Sequence, residues 1–388
     1  MRPNWVEIDL DVGEQNVREI RRHLDDHGSR QCRICAVVKA DGYGHGAEMV
    51  ARSALRAGAD WLAVAFLEEA LILRNRGLDA PILVLGWTPR EGMEEAVEAD
   101  ITLTVTSSHG GRALAQVARD LGRVVPVHIK VDTGMGRLGF PADDGGVREV
   151  TDLFREPGLN VEGIFTHFSV ADEDVPFTRE QIRRYRRFVG ALGRGGVQIP
   201  ICHTSNSAGI LDFPDAAFDM VRPGLMLYGV YPSDTVKRSV KVRPFLTWKA
   251  RVAQVKVVPA GEAVSYGRVF IADGPVRIAT LPVGYADGYP RGLSNRGEVL
   301  IRGRRCRIAG RVCMDQTMVV VPPEVGDLGV GTEAVLLGED GMQSITVDEI
   351  ALAMDTIPHE IFTEINKRVP RVFRWGGRVI GESEVLNV

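Results

Sequence analysis

The amino-acid sequence predicts an α/β protein in which a (β/α)8 TIM-type barrel is followed by a second, mainly β domain. A chain of 388 residues is too long for one ordinary domain and comfortable for two. Up to about residue 230, short apolar runs alternate with helix-patterned segments. After about residue 240, short Val- and Ile-rich runs separated by Pro and Gly turns take over. We therefore expect the barrel in residues 1–240 and the β domain in residues 241–388.

Eight apolar runs account for the barrel strands. The runs are Ile34–Val38, Trp61–Phe66, Pro81–Gly86, Ile101–Val105, Val125–Val131, Val161–Phe165, Ile199–His203 and a weaker one at Met220–Leu227. Strict alternation with helical segments is typical of a parallel barrel. A doubly wound open sheet is the alternative, but no G-x-G-x-x-G follows the first run. Trp5–Leu10 is also strand-like, and we expect it to pair with the β domain.

Composition and charge exclude several classes of function. The net charge of −4 offers no electrostatic footprint for nucleic acid, and the arginines in 183–187 alternate with apolar residues as on a solvated helix face. No apolar stretch reaches the roughly 20 residues of a membrane span, and the first residues lack the apolar core of a signal peptide. Cys32 and Cys35 form a C-x-x-C without a second pair or histidine cluster, so no metal is expected. These features predict a cytoplasmic protein.

Chemistry is expected where the barrel strands end, because functional residues of such barrels lie at the C-terminal ends of the strands. Lys39 directly follows the first run, and desolvation there lowers the pKa of an amine, as Schiff-base chemistry requires. A lysine that extends from the rim into solvent is an equally good explanation of this position alone. Ser207, Gly224 and Leu225 lie in the last two loops, the usual phosphate-binding corner, although Ser207 also suits a helix N-cap. A reactive amine opposite a phosphate site predicts pyridoxal phosphate.

The segment Val38–Gly46, V-K-A-D-G-Y-G-H-G, resembles the cofactor-attachment signature of the alanine racemases. The resemblance extends along the chain to Asp132–Gly139, Thr166–Phe168, Asn206-Ser207, Arg222–Gly224, Ser265–Gly267, Gly284–Gly288 and Cys313–Gln316. It implies a pyridoxal-phosphate enzyme that interconverts L- and D-alanine and supplies D-alanine for peptidoglycan. It also implies a homodimer in which each β domain contributes to the partner's active site.

The resemblance assigns the two bases that racemisation needs, one on each face of the substrate. Lys39 attaches the cofactor and is one base, and Tyr266 from the partner subunit is the other. Arg222 pairs with the pyridine nitrogen and His167 braces Arg222. Because arginine keeps its proton, that nitrogen stays unprotonated, which limits side reactions such as transamination.

The resemblance also implies the remaining site residues. The phosphate is bound by Tyr43, Ser207, Gly224 and Leu225. The substrate is bound by Arg137 and by Met314 of the partner, with Tyr285 narrowing the entrance. Lys130 matches a lysine that is often carbamylated in relatives, which gives an anion that orients Arg137.

One departure and two other functions stay open at this stage. Some relatives have a phosphate-binding tyrosine just before Arg368–Arg371, where this chain has Lys367, so a hydroxyl contact is absent and an ionic one is possible. Barrel-type ornithine and diaminopimelate decarboxylases share the layout, and Cys313 is compatible with them, but they pair the pyridine nitrogen with a carboxylate rather than with Arg222. A non-catalytic pyridoxal-phosphate carrier would have no use for the β domain. Alanine and serine differ by one hydroxyl, and the sequence does not choose between them.

Overall fold

The computed structural model describes residues 2–383, which form two compact units. One unit comprises residues 13–42 and 47–243, and the other comprises residues 2–12, 43–46 and 244–383. The two long segments meet between Arg243 and Pro244. The short segment 43–46, just after Lys39, is therefore grouped with the β domain although it lies within the barrel sequence.

The first unit contains a closed barrel of eight parallel strands, as predicted. The strands are Arg33–Val37, Trp61–Val64, Ile82–Val84, Thr102–Val105, Val125–Asp132, Leu159–Phe165, Ile201–His203 and Met220–Val221. Each pairs with the next along the chain, and the last pairs with the first, so the sheet has no open edge. A two-residue strand, Phe140–Pro141, pairs with the end of the fifth. The apolar runs are continuous because these strands are buried on both faces.

Helices follow the strands, and most of them bury one face, whereas the last is buried almost throughout. They are Leu10–Asp26, Ala47–Arg56, Leu67–Asn75, Arg90–Glu98, Ser108–Asp120, Asp144–Leu153, Val175–Arg194 and Ser207–Asp212. The longest, Val175–Arg194, is capped by Asp174, whose carboxylate accepts the Phe177 N–H at 2.9 Å. Ile182 and Tyr185 on this helix are buried, whereas the Arg183 side chain is 66% exposed. The arginines in 183–187 thus belong to the outer side of an amphipathic helix, whereas Tyr185 between them faces inward.

The second unit is mainly β. Its strands are Asn4–Asp9, Leu246–Arg251, Gln254–Val258, Ala263–Val264, Phe270–Ile271, Val276–Leu281, Glu298–Ile301, Arg304–Arg307, Thr317–Val320, Glu333–Asp340, Gln343–Ile345, Arg371–Trp375 and Arg378–Glu382. The first of them pairs antiparallel with Leu246–Arg251 and parallel with Arg371–Trp375. The α-helices of this unit are Val347–Met354 and Pro358–Glu364.

Within residues 2–383, no helix is long and apolar enough to span a membrane. In the same range, no three His, Cys, Asp or Glu side chains are grouped so that they could hold a metal ion. Cys32 and Cys35 are buried, and burial raises the pKa of each thiol to about 12. Both thiols are therefore protonated and unreactive at neutral pH.

Candidate active site

Lys39 lies immediately beyond the first barrel strand, where the backbone makes a left-handed turn. Ala40, Asp41 and Gly42 have φ values of 52°, 53° and 61°, and Tyr43 follows with 51°. Left-handed backbone costs roughly 1–2 kcal/mol for each residue other than glycine, so three such residues store several kcal/mol. The turn is held by the Asp41 carboxylate, which accepts the Ala47 N–H at 2.9 Å, and by a bond from the Gly42 N–H to the Val38 carbonyl at 2.8 Å. Strain of this kind concentrates at functional sites.

The Lys39 amine is partly buried, and its pKa is lowered from the ordinary value. Burial is the main cause, and the positive charge of Arg137 acts in the same direction, whereas the Glu69 carboxylate opposes them. A lowered pKa increases the fraction of neutral amine at neutral pH, which is the form that attacks a carbonyl.

Arg222 is buried after the last strand, and its terminal nitrogens are held from several sides. One donates to His203 Nδ1 at 2.6 Å, and the other donates to the carbonyls of Thr166 and Thr204 at 2.8 and 2.9 Å. His167 Nδ1, the predicted brace, is 3.5 Å away. Sequence analysis assigned no role to His203, although a buried guanidinium, which only donates, requires acceptors near it. Burial lowers the pKa of Arg222 to about 10, so the side chain stays charged at neutral pH.

His203 connects Arg222 to a second buried histidine. His203 Nε2 is 2.8 Å from His128 Nδ1, and His128 Nε2 is 3.7 Å from the Glu162 carboxylate. Because arginine can only donate, His203 Nδ1 accepts, so the proton of neutral His203 is on Nε2 and is donated to His128. The proton of His128 is then on Nε2 and faces Glu162. Burial lowers the pKa of both imidazoles, which keeps them in these neutral forms.

Gly163 provides the space for this pair of histidines. A Cβ at this position would lie 2.4 Å from two atoms of the His128 ring. No side chain fits without displacing the imidazole, so the residue next to Glu162 is restricted to glycine by packing rather than by backbone conformation.

The loop at Ser207 forms a small cluster of hydrogen-bond donors. Ser207 Oγ accepts the N–H groups of Gly224 and Met226 at 3.0 and 3.2 Å, so its own hydroxyl proton points elsewhere. The N-cap of helix Ser207–Asp212 is Asn206, whose side chain accepts the Gly209 N–H at 3.0 Å. The alternative interpretation of Ser207 as the N-cap is therefore wrong. Leu225 follows Gly224 at the start of a short 3-10 turn.

Lys130 and Arg137 come from the fifth strand and the loop beyond it. Lys130 is buried, with its Nζ 4.3 Å from the centroid of the Phe165 ring. Burial, reinforced by the charges of Arg222 and Arg137, holds the pKa of Lys130 well below its ordinary value. Arg137 is exposed on a loop whose shape is fixed by Asp132, which accepts three consecutive backbone N–H groups at 2.9–3.1 Å.

Three of the predicted residues project from neighbouring loops of the β domain. Tyr266, Met314 and Tyr285 are 71%, 54% and 42% exposed. The Tyr285 N–H donates to the Cys313 carbonyl at 3.0 Å, and the hydroxyl of Ser265, which has a φ of 70°, donates to the Arg311 carbonyl at 2.6 Å. These bonds keep the three loops together, and exposed aromatic and methionine side chains grouped in this way are typical of an interaction surface.

Tyr43, the remaining predicted phosphate contact, and Lys367, for which such a contact stayed open, both fall in the second unit. Tyr43 is buried, its ring centroid is 5.6 Å from that of His359, and burial raises the pKa of its hydroxyl to about 12. Lys367 is exposed after helix Pro358–Glu364.

Comparison with known proteins identifies the family. The model of the alanine racemase N-terminal domain matches residues 8–232, and that of the alanine racemase C-terminal domain matches residues 245–373. The chain belongs to the alanine racemase family. It is 44% identical to alanine racemase 2 of Caldanaerobacter subterraneus subsp. tengcongensis, an alignment that covers 100% of this chain and 99% of that protein. These matches favour a racemase over the decarboxylases and over a non-catalytic carrier.

Solved structures of an alanine racemase and of a histidine racemase both superpose on this chain. The alanine racemase of Clostridium difficile 630 superposes with a TM-score of 0.93 at 38% identity, covering 100% of this chain and 99% of that one. A histidine racemase from Leuconostoc mesenteroides subsp. sake also superposes, with a TM-score of 0.88 at 29% identity over 97% and 99% of the two chains. Proteins named as racemases of two different amino acids therefore share this fold, so the fold alone does not determine the substrate.

Proposed function

We propose that this protein is an alanine racemase that interconverts L- and D-alanine with pyridoxal phosphate and two bases. The observation that carries the proposal is that Lys39, with its lowered pKa, and Arg222, buried and charged at neutral pH, both follow strands of one barrel in a chain of this family. The D-alanine formed supplies peptidoglycan synthesis, and we place the enzyme in the cytoplasm.

The residues present suit the cofactor. When bound, pyridoxal phosphate supplies an aldehyde that reacts with amines and a conjugated ring that withdraws electrons from them. Lys39 supplies the attaching amine. Ser207, whose hydroxyl proton is not used in the bonds that its oxygen accepts from Gly224 and Met226, would donate to the phosphate together with the Leu225 backbone N–H, and Gly224 would line the site. Tyr43 is the further phosphate-binding residue that the family resemblance implies.

Arg222 would pair with the pyridine nitrogen of the bound cofactor. Among the described residues, the bonds that hold its guanidinium come from the terminal nitrogens, which leaves the Nε–H for this contact. A donor that remains protonated keeps the ring nitrogen unprotonated and restricts proton movement to the substrate carbon. His167 and His203 orient the guanidinium.

Racemisation then requires a proton to leave one face of the substrate and another to arrive on the opposite face. Lys39 Nζ exchanges the proton on one face. The Tyr266 hydroxyl of a partner subunit exchanges it on the other. Arg137 and the Met314 backbone N–H, again from the partner, hold the substrate carboxylate, and Tyr285 restricts the entrance to small side chains.

Lys130 fits a carbamylated lysine. Its lowered pKa provides a neutral amine that reacts with carbon dioxide, and the resulting anion offsets the positive charges of Arg137 and Arg222. A carbamate would therefore orient Arg137 toward the substrate carboxylate.

The shared site of a homodimer gives the decisive experiment. Lys39→Ala and Tyr266→Phe subunits are each expected to be inactive, but a mixed dimer has one site with both bases intact. With random exchange about half the dimers are mixed and have one working site of two, so activity should return to about a quarter of the wild-type value. Loss of optical rotation from L-alanine is the measurement.

Two controls make the result interpretable. Native mass spectrometry must show that subunits exchange, and borohydride reduction of the wild type should leave the pyridoxyl mass on the Lys39 peptide. If subunits exchange and no activity returns, both bases belong to one chain and the shared site is refuted. Polarimetry on L-alanine, L-serine and L-histidine tests the substrate, and a preference for either of the latter two would replace alanine.

A further inference from the structure

Glu69 lies beside the Lys39 turn and has a feature that the proposed chemistry does not use. It is the third residue of helix Leu67–Asn75, which follows the second barrel strand. One carboxylate oxygen accepts the N–H groups of Ala65 and Phe66, at 2.8 and 3.2 Å, and so caps its own helix. The other oxygen accepts the Ala40 N–H at 2.6 Å.

The Ala40 bond reaches the peptide that joins Lys39 to Ala40. This peptide is where the backbone leaves the first strand and enters the left-handed turn, so its orientation sets the direction in which the Lys39 side chain starts. A carboxylate that binds both strand ends fixes that peptide against the neighbouring strand. Charge-assisted bonds to backbone N–H groups are shorter and stronger than neutral ones, in agreement with the 2.6 Å distance.

We propose that Glu69 is a positioning residue for Lys39, which holds the Lys39–Ala40 peptide with one oxygen while it anchors its own helix with the other. This inference rests on the proposed function of Lys39 as the cofactor lysine and base. Both oxygens are needed, since an amide has only one acceptor oxygen and presents an NH2 group where the second acceptor stood. Glu69 also supplies the negative charge that opposes the lowering of the Lys39 pKa by burial and Arg137.

Two substitutions of Glu69 separate the effect of side-chain length from that of side-chain charge, and a substitution of the adjacent Glu68 provides the control. Glu69→Gln keeps the length but loses the charge and one acceptor, whereas Glu69→Asp keeps the charge but is too short to join both strands. Glu68→Gln makes the same chemical change on the adjacent, exposed residue of the same helical turn. Near-UV circular dichroism should confirm that all three variants are folded.

The first measurement is made on the full chain after removal of the cofactor. Competitive acetylation across a pH series, read by mass spectrometry of the Lys39 peptide, reports the pKa and reactivity of this amine without any turnover. Glu69→Gln should lower the apparent pKa of Lys39, and Glu69→Asp should change its reactivity with a smaller shift in pKa. Glu68→Gln should match the wild type.

The second measurement is the racemisation of alanine by the holoenzyme. Both Glu69 variants should lose about 10- to 100-fold in kcat, since small misplacements of a reacting group have effects of this size, with KM for alanine within about twofold. The proposal is overturned if the apparent pKa and the acetylation reactivity of Lys39 are the same in Glu69→Gln as in Glu68→Gln, whatever the value of kcat. A wild-type protein that racemises no amino acid refutes the proposed function instead and leaves the labelling result standing.

Discussion

Replacement of Gly163 by alanine should both destabilise the barrel and disturb the histidine pair behind Arg222. The new Cβ would lie 2.4 Å from the His128 ring, where ordinary contacts begin near 3.4 Å, so the imidazole must move by about 1 Å. Overpacking of this kind costs about 1–3 kcal/mol, and a broken His128–His203 bond leaves buried polar atoms unpaired at a further cost of about 1–3 kcal/mol. We therefore expect the free energy of unfolding to fall by about 2–6 kcal/mol.

Urea unfolding at one protein concentration measures this loss, with Gly193→Ala as the control. Gly193 is exposed near the end of helix Val175–Arg194, and no atom lies within 4 Å of its added Cβ, so this change should be neutral or stabilise by up to about 1 kcal/mol. The kcat of Gly163→Ala should also fall by about tenfold as Arg222 loses its orientation. A free energy within about 0.5 kcal/mol of that of Gly193→Ala would refute the packing argument, and unchanged kcat would exclude the histidine pair from catalysis.

Three further outcomes are expected. The pKa values of His128, His167 and His203 are below the unfolded value of about 6.5, so the unfolded chain binds protons first, and stability should fall below pH 6.5 by up to about 1.4 kcal/mol per histidine per pH unit. Urea unfolding at pH 7.5 and 5.5 with equal free energies would contradict this. Gly44→Ala should lower the melting temperature more than Gly28→Ala, because its Cβ would lie 2.2 Å from the Phe362 carbonyl oxygen, whereas Gly28 has a similar φ but open space around it. The difference in the free energy of unfolding should be about 2 kcal/mol or more. Equal shifts in melting temperature would mean that backbone strain, and not the steric clash, accounts for the destabilisation. In 13C-bicarbonate, the wild type should show a carbamate NMR resonance that Lys130→Ala lacks, and its absence from the wild type would exclude carbamylation.

Local patterns in the sequence were enough to predict the barrel, because each feature depends on neighbouring residues. Continuous apolar runs such as Val125–Val131 match strands buried on both faces, and the helix-patterned segments between the runs correspond to helices such as Val175–Arg194. The position of Lys39 after the first run followed from the same reasoning, since strand ends of a parallel barrel meet at one face. Strand bounds were less certain, and the run Met220–Leu227 contains only a two-residue strand before a 3-10 turn.

The contacts that prepare these residues depend on segments far apart in the chain. His203, His128 and Glu162 come from three neighbouring strands, and only the pairing of these strands brings them into line behind Arg222. The left-handed turn at Ala40 was not predicted, because alanine and aspartate rarely adopt this conformation unless distant groups hold them there. Sequence periodicity reports which side of an element is buried, whereas hydrogen-bond partners and pKa shifts depend on which elements meet. The position of Lys39 at a strand end was therefore predictable from the local sequence, whereas its environment was decided by tertiary structure.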